Sequence, residues 1–302
     1  MRQRLVRKDI RDCQVIYYHP DYYLFSGNGF RSCAKRGGSL FVYTEVKTPI
    51  NAIAPLPDNK LLVHDKKSVY HILDLEAGKV LVSKQMPRKI ISTKHFAVSD
   101  DGNTAYRIWL SGNKYHLAVI ALSDLSYRIY PYKASWSNVA DLIYQSKDEL
   151  RVLEAQAFNG GVRRNQITSV LIGSEECTTA PVYQWESDQI GKYFDGRYVW
   201  ESGCKIRDLI AGEHFSLLEN SEILLPKNHV TLSYIYYPEY NYLQLIDSKQ
   251  NVFIDCGQRK IIARYFNDPQ NLIYSGIYTG NEFWMGKPDG IYAMPFPVIE
   301  TG

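Results

Sequence analysis

The strongest constraint on this chain is a repeat: seven times an apolar run is followed by a polar turn of Pro, Asp, Asn or Gly and then by a second apolar run. Val15-Ile16-Tyr17-Tyr18 turns through His19-Pro20-Asp21 into Tyr22-Tyr23-Leu24-Phe25, and Ile53-Ala54-Pro55-Leu56 turns through Pro57-Asp58-Asn59 into Lys60-Leu61-Leu62-Val63. A third copy is Phe96-Ala97-Val98, Asp100-Asp101-Gly102, Thr104-Ala105-Tyr106, and others centre on Lys147-Asp148, Asp195-Gly196, Pro238-Glu239 and Asn267-Asp268-Pro269. From positions 20, 58, 101, 148, 195, 238 and 268 the mean step is about 41 residues, inside the period of a four-stranded propeller blade. The expected fold is all-β: a β-propeller of seven blades, each of four antiparallel strands. Six blades is the alternative, because residues 222–260 look short for four strands and 137–190 look long, with Asn159-Gly160-Gly161-Val162-Arg163-Arg164-Asn165 as an enlarged loop.

Seven blades of ~43 residues use the whole 302-residue chain. One propeller domain is therefore expected over residues 14–302, preceded by a basic arm at 1–13 that could pair beside Gly290–Val298 and leave no exposed edge. Helical periodicity is nearly absent. The clearest unit, Ile50 to Met86, parses as Asn51–Leu56, Lys60–Asp65, Ser68–Leu75 and Lys79–Lys84. Its reversals carry Asp and Asn for local side-chain bonds and Gly for a positive φ.

Within that unit Ile72-Leu73-Asp74-Leu75-Glu76-Ala77-Gly78-Lys79 resembles the third-strand signature of the WD40-like and YVTN-type propeller repeats, in which an Asp-Leu pair and a Gly turn close the blade. A second copy is Arg207-Asp208-Leu209-Ile210-Ala211-Gly212-Glu213, and the two aspartates are 134 residues apart, three steps of ~45. The resemblance implies an architecture and no catalytic residues. The Gly-His and Trp-Asp dipeptides of strict WD40 blades are missing, so their hydrogen-bond network does not carry over.

Formal charge is only +3, which excludes a general basic coat for nucleic acid. It is uneven, since residues 1–36 hold eight Lys or Arg against three Asp. That local excess is too small to favour nucleic-acid binding by the arm. The first twelve residues lack an apolar signal core, and no stretch approaches the ~18 apolar residues of a membrane span. Cys13, Cys33, Cys177, Cys204 and Cys256 are odd in number and scattered. Neither a disulfide framework nor a metal knuckle follows, and reduced thiols in a cytoplasm are expected.

Local motifs resolve into turn chemistry. Asp100-Asp101-Gly102-Asn103 lacks the further acids of a calcium loop. Ser111-Gly112-Asn113-Lys114 matches an acyl-enzyme pattern that needs a helix start, yet falls on a hairpin. Gly27-Asn28-Gly29 has no following helix to bind phosphate. The seven histidines show no metal spacing, although His64-Asp65 suits a structural polar network. No catalytic residue, metal or cofactor is assigned.

Topology then sorts charge. In a four-stranded antiparallel blade the first and third reversals share one end, and the second reversal and the crossover share the other. Asp58, Asp100, Asp101, Asp148, Glu149, Asp195, Glu239, Asp268, Glu76, Asp124 and Glu213 fall at the first end. Lys66, Lys67, Arg88, Lys89, Lys133, Arg163, Arg164 and Lys227 fall at the second, with Trp136 and Trp185 among them. These ten residues are the expected binding set, for an acidic protein segment or other polyanion on a non-catalytic scaffold. The alternative is a propeller hydrolase or lactonase with its site in an axial funnel, which could also take a small ligand. Acidic residues are scarce in the expected first strands, with Asp141 the main exception.

Overall fold

The computed structural model describes residues 4–27, 29–87, 91–92, 96–134, 138–146, 149–157, 163–173, 176–187, 192–194, 197–202, 205–216, 233–246, 250–266 and 276–296. All of its regular structure is β, in seven antiparallel sheets. After β1 (Arg4–Arg7), the first sheet is β2 (Cys13–Tyr17), β3 (Tyr22–Gly27), β4 (Gly29–Ala34) and β5 (Phe41–Tyr43); the second is β6 (Ile50–Leu56), β7 (Lys60–Asp65), β8 (Val69–Asp74) and β9 (Lys79–Gln85). The third is β10 (Ile91–Ser92), β11 (Ala97–Val98), β12 (Thr104–Ser111), β13 (Lys114–Ala121) and β14 (Tyr127–Tyr132); the fourth is β15 (Asn138–Ser146), β16 (Glu149–Ala157), β17 (Arg163–Ile172) and β18 (Cys177–Ser187). The fifth is β19 (Lys192–Phe194), β20 (Tyr198–Ser202), β21 (Lys205–Asp208) and β22 (Glu213–Ser216); the sixth is β23 (Ser233–Tyr237), β24 (Tyr242–Ile246), β25 (Gln250–Asp255) and β26 (Lys260–Phe266). The last combines β27 (Ile277–Tyr278), β28 (Glu282–Lys287) and β29 (Gly290–Pro295) with β1, which pairs through Arg4 to Ala293, Leu5 to Tyr292 and Arg7 to Ile291. The fold is a seven-bladed β-propeller. Among the described residues no helix is long and apolar enough to cross a membrane.

Side-chain alternation explains the strands. In β6 residues 50, 52, 54 and 56 are buried while 51 and 55 are exposed, and outer strand β9 alternates exposed and half-buried. Central strands are covered on both sides, so β7 and β25 read as nearly continuous buried runs. Turn chemistry ends several of the described strands. Asp101 Oδ1 accepts from Ser99 Oγ (2.6 Å) and Asn103 N (3.0 Å) beside Gly102 at φ 66°. Asp74 and Asp208 both close a third strand: Asp74 Oδ1 accepts Ala77 N at 2.8 Å, and Asp208 Oδ1 accepts Ile210 N and Ala211 N at 3.0 and 3.1 Å.

Three expectations are corrected. The turn at Asn267-Asp268-Pro269 lies outside the described residues and is not the first hairpin of the last blade, which reverses between β27 and β28, where Thr279 N donates to Glu282 O at 2.9 Å. Asn, Asp and Pro mark any reversal, crossovers included. The sixth blade is complete but displaced along the chain, spanning Ser233–Phe266. Arg163 to Asn165, assigned to an enlarged loop, open β17 instead, paired with both β16 and β18. The six-blade alternative falls with the second of these.

Two compact units divide the chain. One holds Met1–Ile50, Asp74–Val80 and Asn228–Gly302; the other holds Asn51–Leu73 and Leu81–Lys227. The core of the first unit is aromatic, with Tyr237, Phe253, Tyr265, Tyr278, Phe283 and Phe296 in one cluster. The second unit buries Leu62, Tyr70, Ile72, Ala105, Trp109 and Ile120 together, then Leu142, Leu150, Val152 and Val170 against Tyr106, Ile108, Leu117 and Tyr132. Each fully buried side chain of this size contributes about 1.5–3 kcal/mol.

Polar residues join blades inside each unit. Ser26, His64, Arg107, Glu154, Glu201 and Gln244 each stand six residues beyond the sequence-marked turn, and each is buried in a second strand. Ser26 Oγ accepts Ile50 N at 3.3 Å, and Gln244 Nε2 donates to Gly276 O at 2.9 Å. In the second unit Arg107 reaches His64, Tyr132 OH donates to Glu154, and Tyr183 OH donates to Glu201 at 2.7 Å. A buried polar atom without a partner costs roughly 1–3 kcal/mol, so each position favours a specific neighbour.

Candidate functional site

A cleft of about 690 Å³ opens between the third and fourth blades, at the second-reversal end of both. The β12–β13 turn supplies Gly112, Asn113 and Lys114; Tyr115 and His116 follow on β13. Pro131, Tyr132, Lys133 and Ala134 come from the end of β14 and the crossover beyond it, and Gln156 comes from β16. Gly112 (φ 59°) permits the tight turn that puts Lys114 at the mouth. Lys114 and Lys133 are exposed, and no carboxylate lines the cleft among the described residues.

Beneath it lies a polar floor. Tyr132 donates to Glu154, which is fully buried, and Gln166 Nε2 approaches the same carboxylate at 3.5 Å while bonding Thr168 Oγ1 at 2.8 Å. Gln184 Nε2 donates to Gln166 Oε1. Burial first, and then Glu154, raise the Tyr132 pKa, so this phenol stays protonated as a donor. Registers Glu154 to Gln166, Gln166 to Gln184, Gln156 to Arg164 and Arg164 to Glu186 place the polar residues on one face of the fourth blade. The arrangement fits a ligand that presents negative charge to the rim and apolar surface to Leu110, Pro131 and Ala134.

The sequence-derived set is only partly assembled here. Lys133 lines the cleft. Lys66 and Lys67 are exposed on the β7–β8 turn, where Asp65 Oδ1 accepts Lys67 N and Val69 N at 2.9 and 2.8 Å. Arg163 is half-buried at the start of β17. Arg164 is exposed but engaged, its Nε 2.9 Å from Glu186 Oε1 on the adjoining strand. Trp185 packs rather than projects: it is 9% exposed, clusters with Leu153, Ile167 and Val199, and stacks on Tyr183 at 5.4 Å. Its Nε1 is buried without a hydrogen-bond partner among the described residues. Arg88, Lys89, Trp136 and Lys227 lie outside the described residues. Asp141 is placed in β15, opposite Leu153.

Lys114 was missed, although the rule that selected Lys66 and Lys67 selects it too: it ends a second reversal. Tyr132, Glu154 and Gln166 had only one signal, a polar residue at a fixed offset from the turn in the case of Glu154.

No protein-family model matches this chain, and no curated protein matches it in sequence. Solved structures do share its fold. The hydrazine synthase of Kuenenia stuttgartiensis superposes with a TM-score of 0.59 at 14% identity, over 97% of this chain and 98% of that one. The computationally designed Ika8 protein superposes at 0.55 and 12% identity, over 94% of this chain and 83% of its own. At such identities the likeness is one of fold alone.

Proposed function

We propose that this protein is a non-catalytic β-propeller scaffold that binds an acidic protein segment at the second-reversal end of its second to fourth blades, seated at the cleft between the third and fourth. One observation carries the reading: Lys114 and Lys133 stand over a cleft with apolar walls and no acidic lining residue among those described. Lys66 and Lys67 extend the positive surface on the neighbouring blade. Charge steers the encounter, and apolar burial in the cleft holds the complex. Membership of the WD40-like and YVTN-type repeats is supported by Asp74 and Asp208 closing third strands in the same way. A cytoplasmic setting is part of this reading, and rests on five scattered cysteines in odd number.

The test is titration of a fluorescent peptide of alternating Glu and Leu at rising salt, with wild type and the double variant Lys114→Glu, Lys133→Glu. Affinity should fall as salt screens the contact, and the variant should lose most of it. Binding that ignores both salt and charge reversal would remove the proposal.

A further inference from the structure

In the first unit Lys35 sits in a box of rings and carboxylates. Its Nζ lies 5.2 Å from the centre of the Tyr18 ring and 5.9 Å from that of Tyr23. Its backbone N donates to Asp21 O at 2.8 Å, which anchors the residue beside the first-blade turn. Burial lowers the Lys35 pKa, while Glu239 and then Asp21 favour its charged form.

Both rings are held in place independently of Lys35. Tyr18 donates its hydroxyl to the Glu239 carboxylate and packs edge-on against the buried Tyr237 at 4.7 Å. Tyr23 stacks on the Trp284 indole at 4.4 Å with 25° between planes, and that indole donates through Nε1 to Glu282 at 3.1 Å. Lys35, Tyr18, Tyr23 and Trp284 are half-buried and Glu239 is exposed, so the box opens to solvent. Two fixed π faces with a carboxylate beside them are the chemistry that attracts a weakly hydrated organic cation. Preorganised walls spare a ligand the ordering cost.

We propose that Tyr18, Tyr23 and Glu239 form a receptor for an alkylated ammonium group, and that Lys35 is the resident cation which such a ligand displaces. A methylated ammonium is larger and less strongly hydrated than a lysine ammonium, so it fills the space between the rings better and loses less water on entry. Lys35 then acts as an internal competitor, and its long stem lets it swing into solvent without disturbing β4.

Two probes test this, choline and the amide of trimethyl-lysine, with dimethylbutanol as the uncharged isostere of choline. In the wild-type protein the Lys35 ε-methylene signals should stand upfield, shielded by the two rings, and move to exposed-lysine positions when a cationic probe is added. Lys35→Ala should bind the better probe roughly tenfold more tightly than wild type, and Tyr23→Ala added to it should cancel the gain. Preference for choline would indicate a free small-molecule quaternary ammonium and preference for the lysine derivative a methylated lysine side chain; both support the receptor. Unmoved Lys35 signals, or equal binding of dimethylbutanol, would overturn it. The wild-type spectrum decides even where a variant is unstable.

Discussion

Arg107 Nη1 lies 2.9 Å from His64 Nδ1, and the two side chains are 1% and 6% exposed. A guanidinium only donates, so Nδ1 must accept and His64 must be neutral with its proton on Nε2. The same guanidinium donates to Tyr70 OH at 3.2 Å and lies over the Phe96 ring at 4.2 Å. One buried arginine thereby connects the second and third blades of the second unit.

Stability should fall in mild acid. Burial, then Arg107 and His71, push His64 down from 6.5 to about 3. Burial likewise pushes His19 down to about 4. Between those values and 6.5 the unfolded chain binds protons that the native state refuses, so the stabilisation is complete above 6.5 and is lost as pH falls, at up to ~1.4 kcal/mol per pH unit for each histidine. Urea denaturation across this range should show the slope, and His64→Asn, which keeps an acceptor without titrating, should flatten it. An unchanged slope in the variant would refute the assignment.

Arg107→Ala should lose about 2–5 kcal/mol, because it leaves both a cavity and desolvated polar partners. Arg107→Met, which fills the space, should lose appreciably less than Ala. Equal losses would show that volume and polarity are not what the site requires.

The two blade-closing glycines should differ. Gly78 and Gly212 both have positive φ, 64° and 70°, but a Cβ on Gly78 would sit 2.2 Å from the Phe41 ring while one on Gly212 meets nothing within 4 Å. Gly212→Ala should cost about 1 kcal/mol from backbone strain alone. Gly78→Ala should cost at least ~1 kcal/mol more, as the ring must shift. Thermal midpoints of the two variants provide the comparison.

Lys133→Glu should weaken acidic-peptide binding more than Arg164→Glu. Lys133 lines the cleft, whereas Arg164 already faces Glu186 across β17 and β18. Peptide titrations at low salt would reveal the order, and equal effects would move the binding surface toward the fourth blade.

Removing residues 1–8 should be severe. The deletion exposes the β29 edge and takes away the Arg4–Glu282 ion pair at 2.7 Å. The shortened protein should melt lower and associate, as read by sedimentation; an unchanged midpoint and a monomer would contradict a structural role for β1.

Much of the fold is legible in residue order. The second blade follows its sequence reading to within a residue or two at every boundary, because alternation and turn chemistry act over a few neighbours. The last blade was misplaced because Asn267-Asp268-Pro269 carries the same local chemistry as a hairpin. At the candidate site, Lys133 was legible as a cation at a crossover, but Trp185 was not legible as a buried residue: nothing within ten residues reveals Leu153 or Val199 beside it.

By itself the sequence determined the period of the blades, the aspartates that close the third strands of the second and fifth, and, wherever a turn was placed correctly, the end of the sheet at which a charge falls. Tertiary structure alone decided which charges were already engaged, as Arg164 is by Glu186, and which met around a cleft, as Lys114 and Lys133 do. Turn and strand preferences depend on short-range backbone and side-chain bonds. The partners of Arg107, Glu154 and Lys35 come from segments about 11 to 204 residues away, and only the pairing of strands and the assembly of blades bring them into contact.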